Sequence, residues 1–90
     1  MTKYELIKRY RELLEEKKIN NLDGISKNSS KSELLNAIAC LECSDEELDK
    51  CAEYIGNTYP AMYKTIMSNG NFKFHFYNRL FVFNTARISA

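Results

Sequence analysis

Apolar residues recur along this chain first with a helical period and then with a strand period, and the change falls near residue 71. Leu6, Ile7, Tyr10, Leu13 and Leu14 make one helix face behind a Thr2–Glu5 capping box, so the spacing predicts a helix to about Lys18. Lys8 with Glu12 and Arg11 with Glu15 are its expected surface pairs. Residues 19–30, with Asn20-Asn21, Asp23-Gly24 and Asn28-Ser29-Ser30, are turn formers and read as a loop. Ser30 with Glu33 opens a second helix that packs through Leu34, Leu35, Ile38 and Leu41. Ser44 with Glu47 opens a third, with Leu48, Cys51, Ala52 and Ile55 at helical spacing and Gly56 as its stop. A fourth starts from Thr58 or Tyr59 as cap, tolerates Pro60 in its first turn, shows Met62, Tyr63, Ile66 and Met67, and closes at Asn69-Gly70.

From 71 to 84 the period becomes two, the signature of a strand pair. With Asn78-Arg79 as a two-residue turn, Phe76 opposes Phe81 and Phe74 opposes Phe83. All five phenylalanines, Phe72 included, then share one face, against Lys73, His75, Tyr77, Leu80, Val82 and Asn84 on the other. The expected fold is therefore mainly α with a C-terminal β-hairpin: four short helices and a wing-like hairpin in one domain over 1–90. Residues 1–43 are the helical scaffold and 44–84 a winged helix-turn-helix-like unit, since two helices joined by a short turn containing Gly are the geometry of that motif.

The runs Cys51-Ala52-Glu53-Tyr54-Ile55-Gly56, Met62-Tyr63-Lys64-Thr65-Ile66 and Asn78-Arg79-Leu80-Phe81-Val82-Phe83 resemble the excisionase-type winged helix, a small DNA-binding domain of phage excisionases and related regulators. The resemblance implies a regulator that binds duplex DNA through the helix Tyr59 to Ser68 and the hairpin wing. It carries over Lys64 as a phosphate or groove contact and Arg79 as the wing tip. Tyr59, Pro60 and Ala61 stand where such families open the second helix with polar residues, and Phe76 and Val82 stand on strands where they carry arginines.

The charge balance changes that picture. Thirteen Lys plus Arg against twelve Asp plus Glu leave a net charge of +1, short of the strong basic excess of a nucleic-acid binder. The charges are nevertheless segregated. Residues 32–53 hold Glu33, Glu42, Asp45, Glu46, Glu47, Asp49 and Glu53 against Lys50 alone, whereas 54–90 hold Lys64, Lys73, Arg79 and Arg87 and no acid. The cationic half suits a phosphate backbone, with Tyr59, Lys64, Lys73, Arg79 and Arg87 as candidate nucleic-acid contacts. The alternative is a protein-binding module or inhibitor, of a phage or mobile element, whose candidate contacts are Asp45, Glu46, Asp49, Glu53, Tyr54, Tyr59 and Tyr63. Frequent Asn, Lys and Ile suit an AT-rich genome of that kind.

Candidate chemistry is sparse. Cys40, Cys43 and Cys51 with the single His75 have the ligand types of a zinc site, but Cys51 on an apolar stripe and Cys40 beside Leu41 read as small core residues, so no metal and no cofactor are expected. With no phosphate loop, no nucleophile elbow and no carboxylate pair whose placement can be argued, no enzyme is expected. Three unevenly spaced cysteines suit a reducing compartment, charges recur through the N-terminus, and no apolar run approaches a membrane span. A cytoplasmic protein follows as the expectation, and leftover apolar surface on a 90-residue domain leaves a homodimer open.

Overall fold

A computed structural model of the protein describes residues 1–89, with side chains as far as Asn84. Five helices follow one another: α1 (Lys3–Lys17), α2 (Lys31–Leu41), α3 (Asp45–Thr58), α4 (Pro60–Met67) and α5 (Phe72–Ser89). Helix α2 is sandwiched between α1 and α5, and α3, α4 and α5 pack on one another. One core cluster draws residues from all five helices and from the loop between α1 and α2.

The helix starts are local events. The Thr2 and Ser30 hydroxyls each accept a hydrogen bond from the backbone N–H three residues on, and the Glu5 and Glu33 carboxylates accept one from the cap backbone N–H. On α3 the Ser44 hydroxyl accepts from Glu47 N–H. Helix α1 closes on Lys18, which takes the left-handed conformation at φ 58°, with Ile19 N–H donating to Leu14 O at 3.1 Å. The ion pairs of α1 run from Arg9, to Glu12 at 3.8 Å and to Glu42 at 3.4 Å, rather than along Lys8–Glu12 and Arg11–Glu15.

The loop 18–30 is anchored by buried side chains and by hydrogen bonds to α1 and α5. Leu22 and Ile25 are buried plugs. The buried Tyr10 hydroxyl donates to Asn21 Oδ1 at 2.7 Å and accepts from Leu22 N–H at 2.8 Å. Gly24 supplies the positive φ of 86° that the turn needs. Beside it Asp23 and Asn78 are joined twice: Asp23 N–H donates to Asn78 Oδ1 at 2.9 Å, and Asn78 Nδ2 donates to Asp23 Oδ2 at 2.7 Å.

The expected C-terminal hairpin is overturned. Residues from Phe72 on form α5, and there is no strand among the described residues. Alternating phenylalanines hide a second period: Phe76, Tyr77, Leu80, Phe81 and Asn84 stand at i, i+1, i+4, i+5 and i+8, one face of a helix. Two-residue hairpins also want Gly in the turn, and a lone strand pair in water is marginal, whereas a helix satisfies its own backbone while burying Phe76, Tyr77 and Phe81 against its neighbours. The five phenylalanines accordingly do not share one face: Phe72 is exposed, Phe74 and Phe83 are half-buried, and Phe76 and Phe81 are buried.

The helix-turn-helix joint differs too. Gly56 does not stop α3, which runs on to Thr58. A single residue, Tyr59, joins α3 to α4, ending one helix and starting the next without a side-chain cap bond. Gly56 lies inside α3 where a Cβ would meet the Tyr63 ring at 3.4 Å, so Tyr63 packs over that turn of the helix. Continuous helical hydrogen bonding across Gly56 outweighs the cost of about 1 kcal/mol that Gly carries in a helix.

Candidate protein-binding groove

A cleft of about 480 Å³ opens between α3 and α5, lined by Glu47, Lys50, Cys51, Tyr54, Tyr59, Leu80, Phe83 and Asn84. On α3 the wall residues Glu47, Lys50, Cys51 and Tyr54 fall at i, i+3, i+4 and i+7, so they stand in one column above the core residues Leu48 and Ile55. The one-residue joint at Tyr59 turns the chain within a ring's reach of Tyr54. The two rings meet edge to face, with centroids 6.3 Å apart. From the opposite wall Phe83 meets Tyr54 in the same way at 6.0 Å. Such pairs contribute about 0.5–1.5 kcal/mol each beyond burial, which holds the rings in place without covering them. Tyr54 stays 51% exposed and Tyr59 44%.

The polar end of the cleft is tied to the core. Asn84 Nδ2 donates to Cys40 Sγ at 3.2 Å, joining α5 to α2. Burial raises the pKa values of Cys40, Cys43 and Cys51 above the ordinary thiol value, and the Asn84 bond opposes this only in part at Cys40. Cys51, in the cleft wall, is therefore a neutral thiol at physiological pH, a small apolar surface rather than a nucleophile.

The candidate residues read from the sequence are only partly brought together. Tyr54 and Tyr59 share the cleft, and Glu46 reaches its rim through Lys50, whose Nζ lies 3.9 Å from Glu46 Oε1. Asp45, Asp49 and Glu53 are exposed on α3. Tyr63 turns away to pack on Gly56 and Phe76, its ring centroid 6.2 Å from that of Phe76. Lys64 lies exposed on α4, and Lys73 and Arg79 lie exposed on α5. Arg79 is no wing tip: it borders a separate hollow with Asp23, His75, Asn78 and Val82. The side chain of Arg87 lies outside the described residues.

His75 and Asn84 are nine residues apart on α5, about 13 Å along its axis, so the histidine sits far from the Cys40 end. Among the described residues no group of three His, Cys, Asp or Glu side chains is placed to hold a metal ion. Nor is any helix among them long and apolar enough to cross a membrane. Leu80, Phe83 and Asn84 escape a strand reading altogether, because a period of two puts Leu80 and Asn84 on the face opposite Phe83. Their spacing of three and four was the signal that could have found them.

No protein-family model, curated protein or solved structure matches the chain.

Proposed function

We propose that the protein is a protein-binding module whose groove between α3 and α5 takes apolar side chains of a partner. The observation that carries this reading is the pair of half-exposed tyrosines, Tyr54 and Tyr59, held by ring contacts in the wall of a cleft about 480 Å³ in volume. Rigid aromatic rings left at the mouth of an apolar cleft are the side chains that interfaces favour, since they bury large area at little loss of rotamer freedom. Duplex DNA is the competing reading. It retains the exposed cations Lys64, Lys73 and Arg79, but without a hairpin it has no wing, and α4 opens with Pro60, Ala61 and Met62, which offer no side-chain hydrogen bonds to a base edge.

One pair of measurements separates the two. Peptides selected from a random library on the intact domain should shift the amide resonances of Tyr54, Tyr59 and Phe83, and Tyr54→Ala and Tyr59→Ala should each abolish capture. A duplex titration at low salt, where the phosphate attraction is largest, should show no binding that Lys64→Ala or Arg79→Ala weakens. Salt-dependent duplex binding lost with those two cations, and no peptide mapping to the groove, would overturn the proposal in favour of DNA.

A further inference from the structure

Two features of the groove beyond its shape bear on what fills it. The first is the backbone of its walls. Both are helices, whose main-chain groups bond within themselves, and the described residues offer no strand edge. An extended peptide laid here would gain no ladder of main-chain hydrogen bonds and would leave its own N–H and C=O groups facing apolar rings, at a cost for every one unpaired. A helix brings those bonds with it. The wall from Glu47 to Tyr54 rises about 10 Å, which matches apolar residues at i, i+4 and i+7 of a facing helix.

The second feature is the field. Helix α3 carries Asp45, Glu46, Glu47, Asp49 and Glu53 against the single base Lys50. Its first-turn acids, Asp45, Glu46 and Glu47, are accounted for by the helix dipole, whose positive end they face. Asp49 and Glu53 lie beyond that turn and have no such role. Glu46 and Glu53 stand four residues before and three after Lys50, on the strip that borders the wall, and Glu47 lies in the wall itself. The one base is drawn to Glu46. Across the cleft α5 contributes Leu80, Phe83 and Asn84, none of them charged. The groove is thus an apolar slot with one acidic bank.

We propose that its occupant is a basic amphipathic helix of a partner protein, its apolar face in the slot against Tyr54, Tyr59 and Phe83 and its lysines or arginines over Glu46, Glu47 and Glu53. This rests on the reading of the groove as a protein-binding site and adds the chemistry of the partner. Long basic side chains suit the position because their stems cover apolar surface while their heads reach carboxylates at the rim.

The probe is a designed fluorescein-labelled peptide of roughly fifteen residues, long enough for marginal helicity in water, with leucines on one helical face and lysines elsewhere. A peptide of the same pattern with glutamate for lysine and a scrambled leucine–lysine peptide are the controls. By fluorescence anisotropy the patterned basic peptide should bind the intact domain and both controls should fail. Tyr54→Ala should weaken binding about tenfold or more, as for an aromatic anchor. The double change Glu47→Gln with Glu53→Gln should weaken it roughly threefold to tenfold and flatten its salt dependence, as expected for exposed charge pairs. Equal binding of the acidic peptide, or indifference to both the carboxylate changes and salt, would overturn the basic helix. If the designed peptide fails while library peptides of another chemistry shift the groove resonances, the partner class falls and the groove reading stands. If no peptide of either kind reaches the groove, both fall. A dimer in sedimentation that Tyr54→Ala converts to monomer would make a second copy the occupant and would also overturn the proposal.

Discussion

Tyr10, in the half of the molecule built from α1, the loop 18–30 and α2, has its polar group closed inside the protein, whereas Tyr54 and Tyr59, in the half built from α3, α4 and α5, meet other rings and stay half outside. In the first, Tyr10 is buried and its hydroxyl both donates and accepts, to Asn21 and from Leu22. In the second, Tyr54 and Tyr59 are held in place by other rings and half of each remains outside. The same residue type is finished as structure in one place and left as surface in another. The proposed function draws on that difference: groups satisfied inside the protein have nothing further to offer a partner, while preorganised apolar rings do.

The sharpest way to break this comparison is to truncate one residue from each half. Leu34, fully buried beneath α1 and the loop, should cost about 2–5 kcal/mol as Leu34→Ala, the range of a buried leucine that leaves a cavity. Tyr54→Ala should cost less in the same urea titration, about 1–3 kcal/mol for its two ring contacts, because half its surface is already in water. Similar losses from the two would mean that the groove is core and not site.

Next comes a link between the halves, the pair of hydrogen bonds exchanged by Asp23 and Asn78. Asn78→Ala removes both partners of Asp23 and should cost about 1–3 kcal/mol, the penalty of stranding partly buried polar groups. Exchange of the loop amide of Asp23, followed by NMR, should accelerate markedly while amides inside α3 keep their protection. Uniform acceleration in both places would show that the two halves open as one unit.

Arg79→Gly probes the helical state of the second half directly. Within α5 the change should destabilise by about 1 kcal/mol, the helix cost of glycine. In a hairpin the same substitution would put glycine directly after Asn78, a favoured pair for a two-residue turn, and would stabilise. The sign of the change in melting temperature decides between them.

The smallest effect is one of pH. Burial raises the Tyr10 pKa above the ordinary tyrosine value near 10, and the bond from Leu22 offsets this only partly. A folded-state pKa above the unfolded one means that the unfolded chain releases the proton first as pH rises. The contribution of Tyr10 is therefore complete below the unfolded pKa and is lost as pH rises through the folded one. Stability should fall above about pH 10, and Tyr10→Phe, less stable at neutral pH for want of two hydrogen bonds, should show a shallower alkaline decline. An unchanged slope in the variant would assign the decline to other groups, Tyr77 among them, whose pKa burial also raises.

What the sequence determined by itself lies within three or four residues of itself. Thr2 with Glu5, Ser30 with Glu33 and Ser44 with Glu47 start α1, α2 and α3, because a cap bond joins a side chain to a backbone amide three residues on and needs nothing else. The turn formers of 19–30 and the columns Leu6–Tyr10–Leu13 and Leu48–Cys51–Ile55 are equally local. Residues 72–84 are different: their aromatics satisfy a period of two and a helical face together, and local propensity cannot choose between patterns that both bury phenylalanine. Tertiary structure chose, by giving α5 a surface of α2 and α3 to pack against and by pairing Asn78 with Asp23, 55 residues away. The same choice made the groove, since Leu80, Phe83 and Asn84 come to one side of a helix, opposite Tyr54, only once that segment is helical.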